Sequence, residues 1–116
     1  MGSINPIFIL PGQLAKSPKE LASNLAGSIT LGVGQFCTNP GLIIGIEGRD
    51  LDLFIEELGA AIAAAAPGTM LHPGIAKAYT EKRAAALAQE DVATIAVAGT
   101  RPQANQGAPT DRKSVV

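Results

Sequence analysis

Leu42-Ile43-Ile44-Gly45-Ile46 is a continuous apolar run of strand length with no polar alternation, and its reading decides the fold. Strands of this kind are covered on both faces, as in parallel or mixed sheets. The preceding Gln35-Phe36-Cys37-Thr38-Asn39-Pro40-Gly41 reads as a turn-rich loop. Further upstream, Ser17-Pro18-Lys19-Glu20 predicts a helix start, with Ser17 as cap, Pro18 at the first helical position and Glu20 completing a capping box. Leu21, Leu25, Ser28 and Ile29 follow on one face, and Gly32 and Gly34 end that helix. The N-terminal run Ile4-Asn5-Pro6-Ile7-Phe8-Ile9-Leu10, closed by Pro11-Gly12, reads as a buried strand with its proline near the start.

Downstream of the central strand, Gly48-Arg49-Asp50 turns the chain and Asp50 is the expected cap of a second helix. Leu51, Phe54, Ile55, Leu58 and Ile62 form an apolar stripe on it, with Asp52, Glu56 and Glu57 outside the stripe. Pro67-Gly68 stops that helix, and Pro73-Gly74 opens a third, with Ile75, Tyr79, Lys82, Arg83 and Ala86 on a mixed face. Val92 to Ala98 fits a strand or the end of an Ala-rich helix equally well. The order strand, helix, strand, helix, helix, with that further candidate strand, is α/β.

From Thr100 the character changes. Arg101 to Thr110 lacks apolar periodicity and is expected to be disordered or a loose loop, within a disordered tail of residues 99–116. The last six residues, Asp111-Arg112-Lys113-Ser114-Val115-Val116, back-translate as GAT CGG AAG AGC GTC GTG, which resembles a sequencing-adapter oligonucleotide. The expectation is that residues 111–116 are an artefact.

With 116 residues and a net charge of −1, the chain has room for one small domain and no electrostatic case for nucleic acid or an anionic membrane. It has no Trp, one Tyr and three Phe, so it also lacks stacking platforms for bases. No stretch approaches the ~20 apolar residues of a membrane span. No basic segment followed by an apolar core opens the chain, so a soluble cytoplasmic protein is expected. The single cysteine rules out an internal disulfide.

That cysteine is the residue with chemistry to offer. Cys37 lies between a glycine-rich helix end and the turn Asn39-Pro40-Gly41, where a thiol is accessible and a substrate can approach the backbone closely. Its own N–H could face a developing oxyanion. The alternative is a small buried hydrophobe with a structural role, in a non-catalytic α/β interaction module. No cationic residue stands within several positions of Cys37. His72 is the only histidine and could complete a Cys–His pair of a hydrolase or acyltransferase, but Leu71-His72-Pro73-Gly74 is also a helix-start context suited to a solvent-facing cap. One Cys and one His far apart do not make a zinc site.

Gly34-Gln35-Phe36-Cys37 resembles the Gly-Gln-x-Cys signature around the nucleophile of the aldehyde dehydrogenase superfamily. Met1-Gly2-Ser3-Ile4-Asn5-Pro6 is similar to the stretch that directly follows that family's catalytic glutamate. One strand and one helix separate the two motifs, as in the family. Phe36 to Leu42 and Gly68-Thr69-Met70-Leu71-His72-Pro73-Gly74-Ile75 resemble bacterial 2,5-dioxovalerate (α-ketoglutarate semialdehyde) dehydrogenases and related NADP-dependent enzymes. The resemblance covers residues 1–98 and implies a partial aldehyde dehydrogenase catalytic domain with an incomplete sheet.

It further implies that Cys37 attacks the aldehyde to form a thiohemiacetal, that hydride passes to NADP or NAD, and that water hydrolyses the resulting thioester. Phe36 and Thr38 would line the aldehyde tunnel, and Met1 would lie near the nicotinamide. Such enzymes are dimers or tetramers, so a homo-oligomeric parent is implied. The family's glutamate would stand one position before Met1 and its second oxyanion donor further upstream. Neither Gly-x-Gly-x-x-Gly nor the downstream Glu-x-Phe-Gly-Pro segment occurs. The expectation is therefore a fragment that is inactive alone.

Overall fold

β1 (Pro6–Ile9) and β2 (Leu42–Gly45) pair in parallel in the computed structural model, which describes residues 4–99, 106–107 and 110–114. Their register sets Ile7 beside Ile43 and Ile9 beside Gly45 on one face, and Pro6 beside Leu42 and Phe8 beside Ile44 on the other. The pleat sends alternate side chains to opposite faces, so the two faces meet different surroundings.

Helices cover only the first face. α1 (Pro11–Lys16), α2 (Pro18–Thr30) and α3 (Arg49–Ala64) enclose a core of Ile9, Leu14, Ala22, Ala26, Phe54, Leu58 and Ile62. Phe54, at 1% exposure, is among the most deeply buried of these, and no polar side chain is buried among the described residues. The expected stripe on α3 is realised, with Leu51 and Ile55 packed around the buried three. Gly45 has a packing role here: a Cβ on it would come within 2.7 Å of Leu51 Cδ1, so its bare backbone admits the helix. Gly59 on α3 does the same against Ile95, at 2.9 Å.

The second face stays open. Phe8 (68% exposed), Leu42 and Ile44 point outward, and Ile4, Leu10 and Ile46 extend the same apolar surface at the strand ends. The sequence predicts a β2 covered on both faces, whereas among the described residues nothing buries the face of Leu42 and Ile44.

Several local signals resolve differently from the sequence reading. Pro11-Gly12 does not merely close β1; Pro11 occupies the first position of α1, where its fixed φ and missing N–H suit a helix. Pro18 starts α2 as expected, but Ser17 makes no side-chain cap, and its backbone N–H, which a capping-box Glu20 would have to reach, is bonded to Gln13 O at the end of α1. Gly48, not Asp50, precedes α3, and Asp50 and Asp52 sit in its first turn, where the helix dipole favours carboxylates. Two exposed ion pairs, Lys19–Glu57 at 3.8 Å and Lys77–Glu81 at 3.9 Å, add little stability.

α4 (Pro73–Leu87) follows a two-residue strand β3 (Gly68–Thr69) that the sequence did not announce. Val92–Val97 is a strand, β4, which settles the strand-or-helix ambiguity. The expected disorder after residue 98 does not hold where the chain is described. β5 (Gln106–Gly107) pairs antiparallel with β3, and β6 (Thr110–Ser114) pairs antiparallel with β4. Unsatisfied edge groups of β3 and β4 supply these short segments with backbone partners that outweigh their weak apolar pattern. The architecture is mixed α/β with small two-stranded sheets. No helix among the described residues is long and apolar enough to cross a membrane.

Phe54→Ala is expected to lower the unfolding free energy by about 3–5 kcal/mol, whereas Phe8→Ala stays within about 0.5 kcal/mol of the parent chain. Urea titration followed by circular dichroism measures both.

Candidate active site

Thr30 ends α2 with its Oγ1 donating to Ala26 O at 2.8 Å. The chain then turns through Leu31–Gly34, where Gly32, Val33 and Gly34 have φ of 56, 59 and 70°. Gly32 is required twice over: left-handed φ favours glycine, and a Cβ there would overlap the ring of Phe36. Val33 is β-branched and strained in this region by roughly 1–3 kcal/mol. Its methyl groups pack onto Gly68 of β3, where a Cβ would collide with them.

The next turn carries the thiol. Asn39 N donates to Phe36 O at 3.1 Å, closing a β-turn with Cys37 and Thr38 at its two corners. Three carboxamides hold this turn. Asn5 Nδ2, at the entrance to β1, donates to both Cys37 O at 2.8 Å and Asn39 O at 3.0 Å. Asn39 Nδ2 donates to Ile29 O at 2.8 Å near the end of α2. Gln35 Nε2 donates to Gly32 O at 3.1 Å, while its Oε1 accepts from Leu71 N at 2.9 Å. The loop is therefore tied to the strand before it, the helix before it and the segment leading into α4.

Cys37 is exposed on this turn, as an accessible thiol requires and a buried structural cysteine would not be. Thr38 is exposed beside it, and Phe36 is 54% exposed with its ring against Gly32. A cleft of about 450 Å³ lies behind the loop, bounded by Val33, Gln35, Asn39, Met70, Ile75 and Tyr79 among others. Cys37, Phe36 and Thr38 are not on its wall. Met1, the remaining sequence-predicted site residue, lies outside the described residues.

His72 is placed elsewhere by its own helix. It is the N-cap residue of α4, and its Nδ1 accepts from Gly74 N at 2.9 Å, with Pro73 at the first helical position. An acceptor nitrogen engaged in this way is not the base of a Cys–His pair. No cluster of three metal-ligating side chains occurs among the described residues. The sequence reading quoted Asn5, Gln35 and Asn39 within motifs and turns but gave them no task. Their signal was three carboxamides at the ends of loops, where such side chains substitute for missing backbone partners.

No protein-family model matches the chain. Curated proteins do, and two of them are alpha-ketoglutaric semialdehyde dehydrogenases. Over 83 residues, 72% of the chain, it is 48% identical to alpha-ketoglutaric semialdehyde dehydrogenase 2 of Azospirillum brasilense. Over 103 residues, 89% of the chain, it is 36% identical to alpha-ketoglutaric semialdehyde dehydrogenase of Acinetobacter baylyi. The matched stretches span 16% and 19% of those proteins' own lengths.

His72→Ala is expected to destabilise the chain by about 1 kcal/mol through loss of the cap and to leave the rate of Cys37 alkylation by iodoacetamide unchanged. Chemical denaturation and timed mass spectrometry read the two effects.

Proposed function

The chain belongs to the aldehyde dehydrogenase superfamily, and on that premise we propose that it is a nucleophile-bearing part of an enzyme oxidising a semialdehyde to a carboxylate. The observation that carries this reading is Cys37, exposed at the corner of a turn held by Asn5, Asn39 and Gln35. Residues 1–98 form part of the catalytic domain in this reading, and 2,5-dioxovalerate is the proposed substrate, consistent with the names of both relatives.

Chemically, the Cys37 thiol loses its proton to solvent and the thiolate sulfur forms a bond to the aldehyde carbon as the carbonyl electron pair moves to oxygen, which takes up a proton to give a thiohemiacetal. The N–H of Cys37 is one donor for that oxygen. Phe36 and Thr38 flank the thiol and would contact the aldehyde chain. Oxidation then needs a two-electron acceptor, NADP or NAD in the proposed reaction. The described residues do not fit such a dinucleotide. A phosphate cradle needs a glycine-rich turn opening directly into a helix, whereas Gly32 and Gly34 lead into the Cys37 turn and Gly41 into a strand, and Gly48 before α3 is followed by Asp50 and Asp52, whose charges repel a phosphate. The cofactor and the water-activating base are accordingly assigned to parts of the enzyme beyond these residues, and the 116-residue chain alone is expected to be inactive. A cytoplasmic homo-oligomer is the proposed setting of the whole enzyme.

The Cys–His hydrolase alternative loses its support from the capping role of His72, and the structural-cysteine alternative from the exposure of Cys37.

A chimera tests the reading: the matched stretch of the Azospirillum brasilense enzyme is replaced by this chain's 83 aligned residues. The chimera is expected to reduce NADP or NAD in the presence of the semialdehyde. Cys37→Ala within it should lower kcat by about a thousandfold or more, while the purified 116-residue chain yields no reduced cofactor in the same spectrophotometric assay. Activity that survives Cys37→Ala would overturn the assignment.

A further inference from the structure

We infer that Asn5 is a positioning residue for the Cys37 nucleophile, its carboxamide clamping the two backbone carbonyls on either side of the turn corner. The inference rests on the reading of Cys37 as the reacting thiol. Asn5 Nδ2 carries two hydrogens, and the two acceptors it reaches, Cys37 O at 2.8 Å and Asn39 O at 3.0 Å, use both. These acceptors lie 32 and 34 residues away in sequence, so Asn5 adds a long-range tie to the local bonds that close the turn.

Asn5 is itself held. The following Pro6 restricts it to extended backbone, and Pro6 is the first residue of β1, registered beside Leu42 of β2. Leu42 comes three positions after Asn39, so the strand pair fixes the distance between the clamp and the loop it grips. Asn5 is half-buried, which limits competition from water.

The clamp also fixes the peptide that follows the thiol. A trans peptide sets its C=O and N–H in opposite directions. Drawing Cys37 O toward Asn5 therefore turns the Thr38 N–H away from it. Both carbonyl oxygens, with their partial negative charge, are kept facing Asn5 rather than swinging toward a sulfur that gains negative charge as it reacts. A serine or threonine at position 5 would supply one hydrogen, and an aspartate would set carboxylate oxygens against two carbonyl oxygens.

Amide hydrogen exchange and Cys37 alkylation by iodoacetamide at fixed pH, both on the full 116-residue chain, test this. In Asn5→Ala, exchange across Phe36–Gly41 is expected to accelerate about tenfold, and alkylation to slow by about threefold or more. Exchange in α2 and α3 stays at the parent rate. Asn5→Ser, which keeps one donor, should recover part of both effects, and it decides the matter if Asn5→Ala does not fold. Asn24→Ala, at an exposed position on α2, is the control. Parent-like exchange in the loop, unchanged alkylation, or an equal acceleration throughout the helices would overturn the proposal, the last by reducing Asn5 to a general stabilising role. Exchange reports the clamp whatever chemistry Cys37 performs, so its failure is separable from failure of the chimera to oxidise an aldehyde.

Discussion

Burial of one face of α3 against α2 and the inner face of β1 is the constraint on which the rest of the chain depends. Phe54, Leu58 and Ile62 meet Ile9, Leu14, Ala22 and Ala26, and that contact fixes the level at which β1 and β2 lie beneath the helices. The small residues make this possible. Ala22 and Ala26 bring the helices close, and Gly45 and Gly59 let α3 approach the strands without a Cβ in the way. Since β1 ends in Ile9 and begins at Pro6, the same packing that seats Ile9 also sets the position of Asn5, one residue before the strand.

From there the order of the nucleophile loop follows mechanically. The loop's apolar anchors are few, the ring of Phe36, the Val33 methyls on Gly68 and the buried Pro40, and its backbone runs through three consecutive left-handed residues that cost conformational energy. Side-chain amides compensate. Asn5, Gln35 and Asn39 each reach a backbone group that the irregular path leaves without a regular partner. A thiol on such a loop is both open to solvent and held in place, two properties that compete in an ordinary surface turn. Positioning of reacting groups to within about an ångström is a large part of enzymatic rate enhancement, which gives the amide ties a chemical meaning beyond stability.

Much of this was legible in the sequence, and the residues show why. Ile7-Phe8-Ile9 and Leu42-Ile43-Ile44 are short, β-branched and bounded by Gly and Pro, which favours strands, and the Phe54-Leu58-Ile62 stripe stands at helical spacing. Cys37 and its turn were visible because glycine, asparagine and proline mark turns locally. What depended on distant partners was not visible. Val92–Val97 became a strand through pairing with Thr110–Ser114, a segment whose own pattern carries little signal. Pro11-Gly12 suits a turn and a helix start equally, and packing of Leu14 decided for the helix. At Ser17 the N–H that a capping-box Glu20 would reach is already bonded to Gln13 O of α1, a partner no local pattern announces. Asn5 reads in the sequence as part of the N-terminal strand run, since its partners stand more than thirty positions away.

The open face of the β1–β2 pair has a consequence for the chain inside a cell. Quality-control systems separate folded from unfolded polypeptides by the apolar surface they show, and Phe8, Leu42 and Ile44 show it in the folded form. With a net charge of only −1, little repulsion keeps two such faces apart. Survival of the chain against chaperones and proteases therefore depends on what shields that sheet as well as on the packing of Phe54 on its other side.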